Sequence, residues 1–216
     1  MGKPNIRIEN WGRTDYKAAL DRQLTTLNEL RAGNQPDTLV FTEHNPVYTL
    51  GKRAGTANHL VADKKFLESN EIQIVETNRG GDITYHGPGQ ITGYLFIDLS
   101  KSRDLHQLLR KVEDLIIAVV SSYGLQCGRR EGMTGVWIDS RKIAAIGMAA
   151  RHWISFHGFA LNVSTNLDHF QGIVPCGITD GTVTSLEKEL GRKVTIQEVQ
   201  ERLSGEFEER FSVVEK

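Results

Sequence analysis

The chain has 216 residues, 39% of them apolar and 25% charged, and carries a formal net charge of -1. That balance fits one globular domain over residues 1–216 and excludes a chain-wide electrostatic pull toward nucleic acid or an anionic membrane. No apolar run approaches the ~20 residues that span a bilayer, and the N-terminal stretch lacks an apolar signal core. Cys127 and Cys176 are the only cysteines, so the expectation is a cytoplasmic protein with reduced thiols.

In chain order, Tyr16, Leu20, Leu24, Leu27 and Leu30 recur at helical spacing and predict a helix over 15–31, closed by Gly33. Two β-prone runs, 38–42 and 47–50, are split by Asn45-Pro46, and Ile72, Ile74 and Thr77 suggest another strand. A strand over 91–99 precedes the strongest amphipathic pattern, Leu105 through Val120, ended by Gly124. Runs 134–138 and 143–148 are joined by Asp139-Ser140-Arg141-Lys142, which reads as a hairpin turn with a cation at its exit. Runs 153–156 and 159–163 predict a further pair broken at Gly158. Thr184-Ser185-Leu186-Glu187 and Thr195-Ile196-Gln197-Glu198 match the capping box, so each should open a helix. The order of elements is α+β: a largely antiparallel or mixed sheet with helices packed on it.

Three features carry chemistry. The stretch Arg79-Gly80-Gly81-Asp82-Ile83-Thr84-Tyr85-His86-Gly87-Pro88-Gly89-Gln90 concentrates polar groups among glycines, where backbone N–H groups can approach a ligand. Its spacing fits neither a P-loop nor a dinucleotide fingerprint, so no nucleotide cofactor is expected. Cys176, between Pro175 and Gly177, sits on backbone that holds a nucleophile open to approach; the plain alternative is a small buried hydrophobe. Lys142 would ordinarily be a solvated turn lysine, yet a desolvated lysine beside a cysteine lowers the thiol pKa and moves protons. His86 and His157 are the rival bases, and no cluster has metal-ligand spacing, so no metal is expected. Cys127 has no chemical company apart from Arg129 and Arg130 and reads as structural.

Together with Thr134-Gly135-Val136-Trp137, Arg141-Lys142-Ile143-Ala144-Ala145-Ile146-Gly147, Phe156-His157-Gly158-Phe159-Ala160-Leu161-Asn162-Val163 and Pro175-Cys176-Gly177-Ile178, the glycine-rich stretch resembles the lipoate-protein ligase B family of lipoyl(octanoyl) transferases. The resemblance spans about 41–186. It implies the fold of biotin and lipoate ligase catalytic domains, Cys176 as acyl-thioester nucleophile and Lys142 as the lysine that lowers its pKa. It also implies substrate contacts from Arg79, Gly80, Gly81, Asp82, Ile83, Thr84, Tyr85 and His86, from Ala145, Ile146 and Gly147, and from Gly158, Phe159 and Ala160. The implied donor is octanoyl-acyl carrier protein; the implied acceptors are lipoyl domains of 2-oxoacid dehydrogenase complexes and the glycine cleavage H protein. Lys52, Arg53, Arg129, Arg130, Arg141 and Arg151 are candidates to receive an acidic carrier if they converge at the pocket mouth. Rival readings are an ATP-dependent ligase of the same fold, a Cys-His hydrolase, and a non-catalytic module that binds acylated carriers.

Overall fold

The computed structural model describes residues 6–174 and 182–212. Strand β1 (Ile6–Thr14) lies parallel to β2 (Asp37–His44), with α1 (Tyr16–Arg31) between them in sequence. The short strands β3 (Val47–Leu50), β4 (Gln73–Glu76) and β5 (Thr84–His86) form a separate three-stranded sheet in the order β4-β3-β5, with α2 (Lys64–Ser69) preceding β4. The large sheet continues through β6 (Gln90–Phe96) and, after α3 (Leu105–Ser121), through β7 (Gly128–Arg130), β8 (Met133–Ile138), β9 (Arg141–Arg151) and β10 (Ile154–Asn162). Its order is β1-β2-β6-β10-β9-β8-β7, and the two-residue β11 (Thr182–Val183) pairs in parallel with the start of β9. Helices α4 (Leu186–Leu190) and α5 (Ile196–Phe211) complete the chain.

The period-two alternation of the central strands sorts the core onto two faces. Leu39, Phe41, Ile91 and Leu95 meet Leu115, Ile116 and Val119 of α3 and Val199, Leu203 and Phe207 of α5. Val40, Tyr94 and Phe96 point the other way, onto Ala19 and Leu27 of α1. Each long helix starts where a side-chain oxygen accepts otherwise unpaired backbone N–H groups: Asp15 from Lys17 and Ala18, Asp104 from Gln107, Thr195 from Glu198.

Several expectations change. The segment over 6–14 gives no apolar alternation because β1 is a half-buried edge strand. The two runs over 38–50 enter different sheets. Residues 154–162 form one unbroken strand rather than a pair, because Phe156 through Phe159 keep their registry against β9 even though His157 holds φ at 59°. The cap of α4 is Ser185, one residue later than the motif suggested; Thr184 instead donates its hydroxyl to Glu189. Lys142 is not in the turn: Asp139 and Ser140 form it, and Lys142 is the second residue of β9.

Leu115 is fully buried between α3 and the sheet. Leu115→Ala should cost about 2–5 kcal/mol of stability, seen as a lower urea midpoint with an unchanged denaturant slope.

Candidate active site

Because β9 carries Lys142 into the sheet, the side chain is buried, with 6% of the residue exposed. Its stem passes Gly135 and its ammonium lies 5.0 Å from the centroid of the Trp137 ring, both on the neighbouring β8. Gly135 has φ 129°, and a Cβ there would lie 2.6 Å from Lys142 Cε and 2.6 Å from the Ala144 carbonyl oxygen. The lysine therefore has its path because that residue has no side chain. Gly135 is held in turn by its N–H donating to Glu113 (3.2 Å), a fully buried carboxylate that also accepts from Arg110 (2.7 Å) and Arg129 (2.6 Å).

Lys142 stands where two clefts meet. The inner cleft is lined by Arg79, Gly81, Asp82, Ile83, Thr84 and His86 from one side, by Ala145–Gly147 and by His157–Ala160. The outer cleft shares Gly81, Asp82, Lys142, Ile146 and Gly147 with it and adds Gly80, Met148, Leu105, Leu109 and Met133. Gly147 must lack a Cβ for the two walls to approach, since one would meet the Gly80 carbonyl oxygen at 2.7 Å. Of the described residues expected at the site, only Tyr85 turns away from both clefts. It alternates with Thr84 and His86 along β5, so its ring joins Tyr48 and Phe170 and its hydroxyl lies 2.7 Å from His169 Nδ1. Cys176, with Pro175, Gly177 and Ile178, lies outside the described residues. The sequence did not mark Tyr16, Thr92 and Tyr94 as pocket residues; Tyr16 was counted in the apolar stripe of α1, and its ring stacks on His86 at 5.6 Å in the inner cleft.

The polar wall of the inner cleft is built around Arg79. Its guanidinium donates to the Thr49 carbonyl (2.6 Å) and hydroxyl (2.8 Å) and to the Gly80 carbonyl (3.1 Å). Burial and this cation hold the neighbouring histidines neutral: burial first, then Arg79, takes His157 down to about 3, and burial, His44 and Arg79 take His86 well below its ordinary value. Desolvation likewise takes His44 to about 4. Its Nδ1 faces the Thr14 carbonyl (3.1 Å), which only accepts, so His44 Nδ1 carries the proton and Nε2 accepts from the Tyr94 hydroxyl (2.7 Å). Imidazoles this weakly basic are poor proton acceptors at neutral pH, which counts against the Cys-His alternatives. Asp82 is buried, accepts from the Ile83 N–H (2.7 Å), and has His59 Nδ1 at 2.8 Å and Arg53 at 3.8 Å.

The six candidate docking cations do not converge. Arg141 and Arg151 stand at opposite ends of an eleven-residue strand, about 30 Å apart at the usual rise. Arg141 is bonded to Glu189 and Asp139, and Arg129 to Glu113 and Asp114. Arg130 lies 5.3 Å from the Trp137 ring, on which Lys142 also sits, Lys52 is exposed, and Arg53 lines the outer cleft.

Residues 15–208 match the profile of the lipoyl protein ligase A/B catalytic domain. The chain belongs to this family. Among relatives of this ligase A/B chain, an octanoyltransferase of Christiangramia forsetii is 43% identical, with 95% of each chain covered. One of Rubrobacter xylanophilus is 44% identical over 92% of this chain and 90% of its own. In fold, it is similar to a lipoate-protein ligase A bound with ATP (TM-score 0.79, 19% identity, covering 94% of this chain and 84% of that one). It is also similar to a biotin protein ligase from Aquifex aeolicus in complex with biotin and ATP (TM-score 0.54, 12% identity, 95% and 69%). The α+β architecture with a mixed sheet and packed helices is thus the one the sequence implied.

The buried histidines make the family fold acid-sensitive. In the unfolded chain they bind protons near pH 6.5, whereas folded His44 and His157 do so only near 4 and 3. Between these limits the unfolded state holds more protons, so stability is full above pH 6.5 and is lost as pH falls. At pH 5 each should have given up on the order of 2 kcal/mol. Urea unfolding at pH 7 and pH 5 measures this, and equal stabilities would contradict the neutral assignment. Separately, Gly135→Ala should push the Lys142 ammonium off its path and lower turnover by roughly tenfold or more, read by steady-state kinetics alongside an intact circular dichroism spectrum.

Proposed function

We propose that this protein transfers an octanoyl group from a carrier thioester to the lysine of a lipoyl domain through an acyl-Cys176 intermediate, with the carrier and lipoyl-domain proteins as its partners. The carrying observation is a lysine buried in a β-strand at the meeting point of two clefts, in a family member whose relatives are octanoyltransferases. A negative charge beside a buried ammonium is mutually stabilising, which is what a thiolate at Cys176 would supply. The described residues on either side of the Cys176 segment are held by backbone pairing. Val174 donates its N–H to the His59 carbonyl (2.8 Å), and Val183 pairs directly with Lys142.

On this reading Lys142, as ammonium, holds Cys176 as thiolate. The sulfur attacks the donor carbonyl, a new C–S bond forms, the donor C–S bond breaks, and the departing sulfur takes a proton from Lys142. Lys142 is then a neutral amine. The acceptor lysine attacks acyl-Cys176, loses a proton to Lys142, and the amide forms as the Cys176 thiolate leaves, restoring the starting pair. No adenylate is required because a thioester is already activated. The inner cleft takes the acyl chain against Ile146 and Phe159, while the polar wall at Arg79 and His86 bounds it.

Intact-mass measurement after mixing with octanoyl-carrier should show one octanoyl adduct on the wild type and none on Cys176→Ala; an adduct on the variant would refute the nucleophile. Lys142→Met should slow acylation by roughly 10²-fold or more at neutral pH and recover partly at alkaline pH, where the thiol ionises unaided. ATP-dependent use of free octanoate would favour the ligase reading instead.

A further inference from the structure

An acceptor lysine has two protons to lose. In water its side chain is an ammonium with a pKa of about 10.4, and only the neutral amine attacks a thioester. Lys142 takes the proton released after attack, so the earlier proton, whose loss makes the amine a nucleophile, needs a second route. Asp82 stands where such a route would begin. It lines both clefts with Lys142 and is buried, with 1% exposed. Its Oδ1 accepts from the Ile83 N–H (2.7 Å), whereas Oδ2 has no aligned hydrogen-bond partner among the described residues. Two basic groups approach Oδ2. Arg53 lies at 3.8 Å with its side chain 59% exposed, a loose contact that water screens. His59 Nδ1 is at 2.8 Å, close but not directed as a hydrogen bond. The other charges around the clefts are Lys142 and Arg79, with His106 facing in from α3, while His86 and His157 are neutral at neutral pH. A carboxylate here works against the first half of the reaction, because it disfavours a thiolate sharing the same space. It favours a cation, and the cation that the second half brings in is the acceptor ammonium.

We propose that Asp82 receives the ammonium of the acceptor lysine and that His59 carries its surplus proton to solvent. The inference rests on the acyl-transfer reading above. One ammonium N–H bond breaks, the proton crosses Asp82 to His59 Nδ1, and the electron pair stays on the lysine nitrogen, which then attacks acyl-Cys176. His59, its side chain 29% exposed, becomes an imidazolium and gives a proton to water. Asp82 keeps a counter-charge throughout, since it faces the ammonium before the transfer and the imidazolium after it. The backbone also fixes His59 beside the reacting segment: Val174, two residues before Cys176, donates its N–H to the His59 carbonyl (2.8 Å).

The test isolates the second half of the reaction. Octanoyl-enzyme is formed from octanoyl-pantetheine with the full chain and the variants Asp82→Asn and His59→Gln. Its loss is then timed with a lipoyl domain and, separately, with hydroxylamine, which is uncharged at neutral pH and has no surplus proton. Asparagine at position 82 keeps an oxygen for the Ile83 N–H, so that variant removes the charge without removing the bond. At neutral pH, transfer to the lipoyl domain relative to hydroxylamine should fall about tenfold or more in each variant. The deficit should shrink toward alkaline pH, where the acceptor amine is neutral unaided. If one variant fails to fold, the other decides. Equal losses with both amines, which a merely structural role would give, or a deficit that stays flat with pH would each overturn the assignment. Failure of wild type to acquire an octanoyl group at all would overturn the acyl-transfer reading, and this assignment with it.

Discussion

The structure depends on carrying one cationic side chain into the body of a sheet. An ammonium removed from water loses several kcal/mol of hydration unless its surroundings restore it. Around Lys142 the neighbouring strand supplies part of that restoration and the room for the side chain. The Trp137 ring offers its face at 5.0 Å, and Gly135 clears a path that any Cβ would close. Glu113, fully buried, fixes Gly135 through its N–H and is itself neutralised by two arginines reaching in from the surface. Strand β8, helix α3 and strand β9 are thus tied together at the one point where the lysine must be placed.

Arg79 solves the neighbouring problem differently. Its guanidinium is anchored to Thr49 on the small sheet, so the two sheets are joined where the inner cleft opens between them. Its positive charge, added to burial, keeps His86 and His157 uncharged. Neutral imidazoles do not add repulsion to the nearby ammonium, and they do not compete for its proton. The two histidines that line the inner cleft therefore add no charge of their own beside Lys142 at neutral pH.

The amphipathic helices were legible in the sequence because burial alone writes their pattern: the stripe from Leu105 to Val120 is the α3 core face. The glycine-rich stretch was legible because polar groups concentrate among its glycines, and residues 79–84 and His86 line the clefts. Lys142 was visible by its company but misplaced in a turn, since Asp139-Ser140-Arg141-Lys142 gives the same local signal whether the strand resumes at 141 or 143. Registry with Trp137 and Ile138 decides that, and it is a long-range property. Tyr85 was swept in with its neighbours because a contiguous motif does not show that alternate residues of a strand face opposite ways. The convergence of docking cations failed for a related reason: Arg141 and Arg151 are close in sequence but separated by the full length of β9.

The two clefts also bear on how one fold serves enzymes that are not chemically alike. A fold likeness at 19% or 12% identity to ATP-bound and biotin-bound ligases fixes only the scaffold. In this chain the scaffold holds an inner and an outer cleft that meet at Lys142. Activating a free acid takes room for a nucleotide as well as for the acid, whereas exchanging a thioester takes room for the acyl chain and for the remainder of the donor. Either reaction has two substrate parts to seat, so a pair of joined clefts is compatible with both. In this chain the outer cleft is floored by Ile146 and Met148 and edged by Leu109 and Met133. Arg53 and Lys142 stand beside that apolar lining, so it is the side chains of the cleft, not the shared fold, that distinguish one use from another.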